Sequence, residues 1–119
     1  MKNAEIAAVF QRLADIMEIK GEAFFRANAF RKVARILEDL PTDVAELADS
    51  GELTKTEGIG KGTADAIVEY LETGTITRYE EAKKSIPRGL VELLSVPGLG
   101  PKTIGLLWRE LDVRSLKSL

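Results

Sequence analysis

Apolar residues recur at helical spacing along nearly the whole chain. Ile6, Val9, Phe10, Leu13, Ile16 and Met17 fall three or four positions apart, which puts them on one face of a helix. Asn3 stands where it can cap that helix and Gly21 where it can stop it. A second helix buries Phe30, Val33, Ala34 and Leu37; at about 100° per residue, Arg31, Lys32 and Arg35 point to the opposite side. Leu40-Pro41 ends it. A short helix around Val44, Leu47 and Ala48 stops near Gly51, and helical spacing resumes from about Gly60 to Glu72, closing at Thr73-Gly74. Thr77-Arg78-Tyr79-Glu80 reads as a capping box for a further short helix. Pro87 suits the first turn of a helix through Leu93, and Pro101 that of one running to about Leu111. β-Branched residues never alternate with polar ones for long enough to make a strand, so the expected class is all-α.

Lys83-Lys84-Ser85-Ile86-Pro87 is polar and breaks the helical pattern. We place the boundary there, between a larger helical unit (1–84) and a small one (85–119). Ser115 to Leu119 has the pattern of a further helix cut short.

Composition narrows the chemistry. The 119 residues suffice for one compact unit or two very small ones, and 45% hydrophobic content is that of a globular chain. With no Cys and no His there is no disulfide framework, no zinc site and no Cys- or His-based nucleophile, although oxygen ligands for a hard cation remain. No apolar run approaches membrane-span length and no signal-peptide stretch opens the chain, so a soluble, cytoplasmic protein without a membrane partner is expected. Charge is uneven: residues 1–85 carry 12 basic and 16 acidic side chains, residues 86–119 carry 5 and 3. Arg26 to Arg35 nevertheless holds four cations and no acid. Such a run can be an ordinary solvated face; its freedom from interleaved acids favours a phosphate-facing role for Arg31, Lys32 and Arg35.

Two segments repeat 40 residues apart: Thr56-Glu57-Gly58-Ile59-Gly60-Lys61-Gly62-Thr63-Ala64 and Val96-Pro97-Gly98-Leu99-Gly100-Pro101-Lys102-Thr103-Ile104. Each sets an apolar residue between two glycines, follows with a lysine, and places a threonine three residues after the second glycine. Two glycines permit a tight turn between helices while the apolar residue plugs the gap. The second opens a helix whose free N–H groups point outward with the positive end of the dipole, so phosphate can approach bare backbone. Contacts of this kind read no bases. The plainer alternative, an inter-helix turn and nothing more, is weakened by the second copy. A dinucleotide or P-loop site fails on context, because no strand precedes either segment and no Gly-Lys-Ser/Thr occurs.

These segments match the helix-hairpin-helix motif. In order along the chain come Asn28-Ala29-Phe30-Arg31-Lys32, Gly58-Ile59-Gly60, Leu71-Glu72-Thr73-Gly74 and Val96-Pro97-Gly98-Leu99-Gly100-Pro101. With that set the whole chain resembles the N-terminal region of family X DNA polymerases, the DNA polymerase beta group. The opening Lys2-Asn3-Ala4-Glu5-Ile6 and Glu18-Ile19-Lys20-Gly21 look most like bacterial and archaeal members.

The resemblance implies a four-helix lyase-type domain with the first hairpin, then a small second hairpin subdomain, together binding gapped or primer-template DNA in base excision repair. It implies DNA contacts from Gly58, Gly60, Lys61, Gly62, Gly98, Gly100, Lys102 and Thr103. It also implies a monovalent cation (Na⁺ or K⁺) at each hairpin, held by the carbonyls of Thr54, Thr56 and Ile59 and of Leu94, Val96 and Leu99. The family's polymerase core lies further on, and nothing in these residues supplies it. Phe25 and Phe24 have the character of core residues, although Phe25 stands where the family stacks a ring on a template base. Trp108, spaced from Ile104 and Leu111, reads as packing. Arg88 and Arg109 are candidate phosphate contacts, and the acidic pairs Glu69/Glu72 and Glu80/Glu81 read as solvated surface.

Abasic-site lyase chemistry, implied for some members, needs an unprotonated lysine amine. The matching position here is Ala66; a phosphate-holding lysine is matched by Gly62 and a tyrosine by Phe30, while Arg26 and Arg78 keep charge at two further positions. Lys61 is the nearest substitute nucleophile, but it sits at the helix entrance. Three functions thus compete: a DNA-binding module that reads no sequence, a weak lyase using Lys61, and a hairpin adaptor docking on another protein.

Overall fold

Helix α1 (Asn3–Ile19) is the spine of the computed structural model, which describes all residues from Met1 to Leu119. It lies against α2 (Phe24–Asp39), and the chain continues through α3 (Val44–Asp49), α4 (Lys61–Thr73), α5 (Thr77–Lys84), α6 (Arg88–Leu93) and α7 (Pro101–Leu111). Single 3₁₀ turns occupy Leu53–Lys55 and Leu116–Ser118, and there is no strand. The fold is all-α. No helix is long and apolar enough to cross a membrane.

The periodic residues of α1 divide between two cores. Ile6, Ala7 and Phe10 meet Val33, Ala34 and Leu37 of α2, Val44, Ile59, Ala64 and Ile67 in the larger one. Ile16 and Ile19, two turns further on, meet Ile86, Leu90, Leu93, Ile104 and Val113 in the smaller one. Trp108 packs at its edge, as its spacing suggests. The molecule is accordingly elongated, with extents of 49 × 26 × 23 Å.

Both ends of α1 are fastened by polar groups, one of them unexpectedly. At the far end Gly21 stops the helix, its N–H donating to Glu18 O (3.0 Å) while Glu22 N–H donates to Met17 O (3.0 Å). Asn3 does not cap α1; it is the first helical residue, buried, and no side chain caps that end. Its amide instead donates to Thr42 O (2.9 Å) and accepts from Val44 N–H (2.9 Å). A residue that looks like a local cap is a tertiary tie, because the α2–α3 loop brings an orphan donor and acceptor to it. The capping box at Thr77 is corrected likewise. Thr77 is the first residue of α5, and its N–H and hydroxyl both donate to the Glu69 carboxylate of α4. The acid at the helix entrance thus comes from the preceding helix, and Glu69 is a cap from a distance.

Candidate nucleic-acid interface

The two hairpins share one backbone scheme. In the first, Thr56 N–H donates to Leu53 O (3.1 Å), Ile59 N–H to Thr56 O (3.0 Å) and Ala64 N–H to Gly60 O (2.9 Å). In the second, the same bonds run from Val96 to Leu93 (3.0 Å), Leu99 to Val96 (3.1 Å) and Ile104 to Gly100 (3.0 Å). Gly58 and Gly98 have φ of +91° and +86°, a region that side chains rarely adopt. Gly60 and Gly100 are extended, with φ of −84° and −87°, and cap α4 and α7. The first glycine of each pair is therefore demanded by the turn. The second is not; an added Cβ there meets nothing within 4 Å. Ile59 is buried in the larger core and Leu99 packs against the smaller, so the apolar plug is real in both.

Each turn leaves backbone groups open. The first-turn N–H groups of Lys61, Gly62 and Thr63, and of Lys102 and Thr103, find no acceptor within the protein; Pro101 removes the equivalent third donor. The carbonyls of Thr54, Ile59, Leu94 and Leu99 accept no hydrogen bond, while those of Thr56 and Val96 accept one each. Three carbonyl oxygens per turn with spare lone pairs form a hard-oxygen donor set, which fits a monovalent cation in kind. Lys61, Lys102 and Thr103 are exposed beside the open amides.

The cations of α2 separate into two kinds. Lys32 and Arg35 are exposed and form no ion pair. Lys32 lies one turn before Ile36, and Ile36 abuts Gly58, so this side of α2 adjoins the first hairpin. Arg31 does not share that freedom, which corrects its expected phosphate-facing position. Its guanidinium donates to Gln11 (2.9 Å), Asp15 (3.0 Å) and Glu18 (2.6 Å) on α1, with a quarter of the side chain exposed. Burial alone would lower the Arg31 pKa; the bonds to Glu18 and Asp15 outweigh it and hold the group above its ordinary value. Arg31 joins two helices. The counter-charges lie on α1, so no inspection of α2 alone finds them.

Phe30, Gly62, Ala66 and Arg78 line a single cavity of about 270 Å³, together with Phe10, Leu13 and Gly60. Phe30 stacks on Phe10 with ring centroids 5.9 Å apart, and the Arg78 guanidinium carbon lies 4.9 Å from the Phe30 centroid. Arg78 also borders a neighbouring groove containing Lys20 and Arg26. The wall at position 66 bears a methyl group, and Lys61 is exposed at the helix entrance. Phe24 and Phe25, expected in the core, are 70% and 74% exposed. They begin α2, beyond the reach of the α1 apolar face. Arg88 is exposed, and Arg109 donates to the carbonyl of Ile19 on α1. Arg109's role as a helix-end partner was invisible in the sequence, since donor and acceptor are 90 residues apart.

A family model described as "Helix-hairpin-helix domain" matches residues 1–76. The whole chain is also similar, at 40% identity over 119 residues, to the DNA polymerase/3'-5' exonuclease PolX of Bacillus subtilis (strain 168). The match takes in 100% of this chain and 20% of that protein, so the chain spans about a fifth of that relative's length.

Proposed function

The chain belongs to the helix-hairpin-helix domain family, and we propose that it grips the phosphate backbone of gapped or primer-template DNA as the N-terminal part of a family X repair polymerase. One observation carries this: two turns 40 residues apart repeat the same three backbone bonds and leave open amides beside an exposed lysine. Each helix entrance offers donors, positive dipole and lysine charge to one phosphate, and Lys32 and Arg35 extend the basic surface beside the first. A monovalent cation on the open carbonyls of each turn would add charge at the same phosphate. None of these groups reaches a base edge by design, so binding is independent of sequence.

The pocket around Ala66 docks DNA without cutting it. A methyl group cannot form a Schiff base, and Arg26 and Arg78 supply only charge. The polymerase active site belongs to the remaining part of such a protein.

Titration of the chain with a gapped duplex at several salt concentrations tests the proposal. About four neutralised phosphates give a log K against log salt slope near −4, hence roughly 10²-fold weaker binding between 50 and 200 mM salt. A strong preference for one base sequence at equal length and salt overturns it. Binding that ignores salt points instead to the protein-docking adaptor.

A further inference from the structure

The end of α1 is completed from the second hairpin unit. Its last four carbonyls are all satisfied: Ile16 by Lys20 N–H, Met17 by Glu22 N–H, Glu18 by Gly21 N–H, and Ile19 by the Arg109 guanidinium from α7. Arg109 thereby sets a cation at the negative end of the helix dipole. Gly105, one turn earlier on α7, makes the approach possible, since a Cβ there would lie 2.6 Å from the Ile19 oxygen and 3.0 Å from Arg109 Nη1. Beneath this contact Ile16 and Ile19 are fully buried among Ile86, Leu90, Leu93 and Ile104. Polar cap, close helix approach and apolar packing all meet at one place.

We propose that Arg109 is a positioning residue: by capping α1 it locks the two hairpins at one separation, so that both grip a single DNA molecule as a two-point clamp. The proposal rests on the DNA-binding function above. The apolar seam through Ile16, Ile19 and Ile86 holds the units together, and the Arg109 and Gly105 contacts fix how α7 crosses the end of α1. A looser crossing would leave the second hairpin to search for its phosphate through many orientations. A fixed separation removes that search, and linked sites then bind far more tightly than either alone. The arrangement also explains why Arg109, in the last turn of α7, forms no ion pair: its acceptor is a backbone carbonyl.

The chain has no cysteine, so spin labels can be placed cleanly in the intact protein at Asp65→Cys on α4 and Glu92→Cys on α6, both exposed. Pulsed electron resonance should give one narrow distance for the parent, a moderately broadened one for Arg109→Ala, whose apolar seam still joins the units, and a displaced, broad one for Gly105→Val. Gly105→Val forces the helices apart while keeping the Arg109 charge. Arg109→Ala leaves the apolar core intact and keeps the measurement readable if Gly105→Val fails to fold. On DNA, both variants should lose about tenfold in affinity for a duplex of about 30 base pairs. They should lose little for a duplex shortened until only one hairpin can engage it, of about 8 base pairs or fewer. Unchanged distances overturn the lock, and equal losses on both duplexes with unchanged distances make Arg109 a simple phosphate contact. If the parent binds neither duplex in a salt-dependent way, the DNA-binding function itself fails, while the distances still judge the lock.

Discussion

Ile36 of α2 fills the space that a side chain on Gly58 would need: a Cβ there would lie 2.3 Å from the Ile36 Cδ1. Gly98, at the same place in the second hairpin, has open space around it and shares only the positive φ. Gly98→Ala should therefore cost about 1 kcal/mol, the penalty of the left-handed backbone. Gly58→Ala should cost about 3 kcal/mol, because overpacking adds to that strain. Urea denaturation of the two variants measures the difference, and equal losses would show that Ile36 yields freely.

Stability and DNA affinity should move in opposite directions at the second glycines. A Cβ at Gly60 or Gly100 meets nothing within 4 Å, and an asparagine side chain can cap the helix that begins there. Folding should gain a few tenths of a kcal/mol. The same side chain occupies the N–H groups offered to phosphate, so affinity should fall about tenfold, or about 1.4 kcal/mol, per hairpin. Undiminished binding would reduce the hairpins to mere connections.

Neighbouring cations on α2 should behave differently. Arg31→Ala leaves Asp15 and Glu18 facing each other across a lost donor and should cost about 2 kcal/mol, a figure already discounted for its partial exposure. Lys32→Ala should leave stability within about 0.5 kcal/mol. It should also reduce the salt slope of DNA binding by about 1. Paired denaturation and salt titrations of the two variants decide this.

Acid and alkali should each weaken the tie between α1 and α4. The Tyr70 hydroxyl donates to the Glu5 carboxylate; that bond, with Lys2 nearby, holds Glu5 below its ordinary 4.5, and the same bond pushes Tyr70 above its ordinary 10.0. A lowered carboxyl contributes stability above its unfolded value and loses it as pH falls through the folded one. A raised phenol contributes below its unfolded value and loses it as pH rises through the folded one. The stability difference between the parent and Tyr70→Phe should thus be flat at neutral pH and shrink below about pH 4.5 and above about pH 10. A difference that stays constant across both limits would mean that the bond is absent in solution.

Borohydride trapping on abasic DNA should yield little or no covalent adduct, since Ala66 lines the cavity at the position where the resemblance to family X polymerases implies a nucleophilic lysine. A strong adduct that disappears in Lys61→Ala would show the nucleophile displaced to the helix entrance.

The fold was largely legible because its signals are local. α7 runs from Pro101 to Leu111 as its proline and apolar spacing imply, and the 40-residue repeat marks both turns without any knowledge of packing. What escaped depends on partners distant in sequence. Asn3 resembles a cap until Thr42 and Val44 arrive, and Arg31 resembles a free cation until α1 lies beside it. Phe24 and Phe25 look like core because hydrophobicity says nothing about which end of a helix overhangs its neighbour.

Two of the seven buried residues in the smaller core, Ile16 and Ile19, lie 67 to 97 positions upstream of the other five. A protease that nicked the backbone between Lys84 and Ser85 would sever a covalent link without opening that core. The two pieces should co-elute as a non-covalent complex, and the short piece prepared alone should expose Leu90, Leu93 and Ile104 to water and aggregate or stay unfolded. The chain can thus be divided in sequence near residue 85, yet its halves are interlocked like a tongue in a groove.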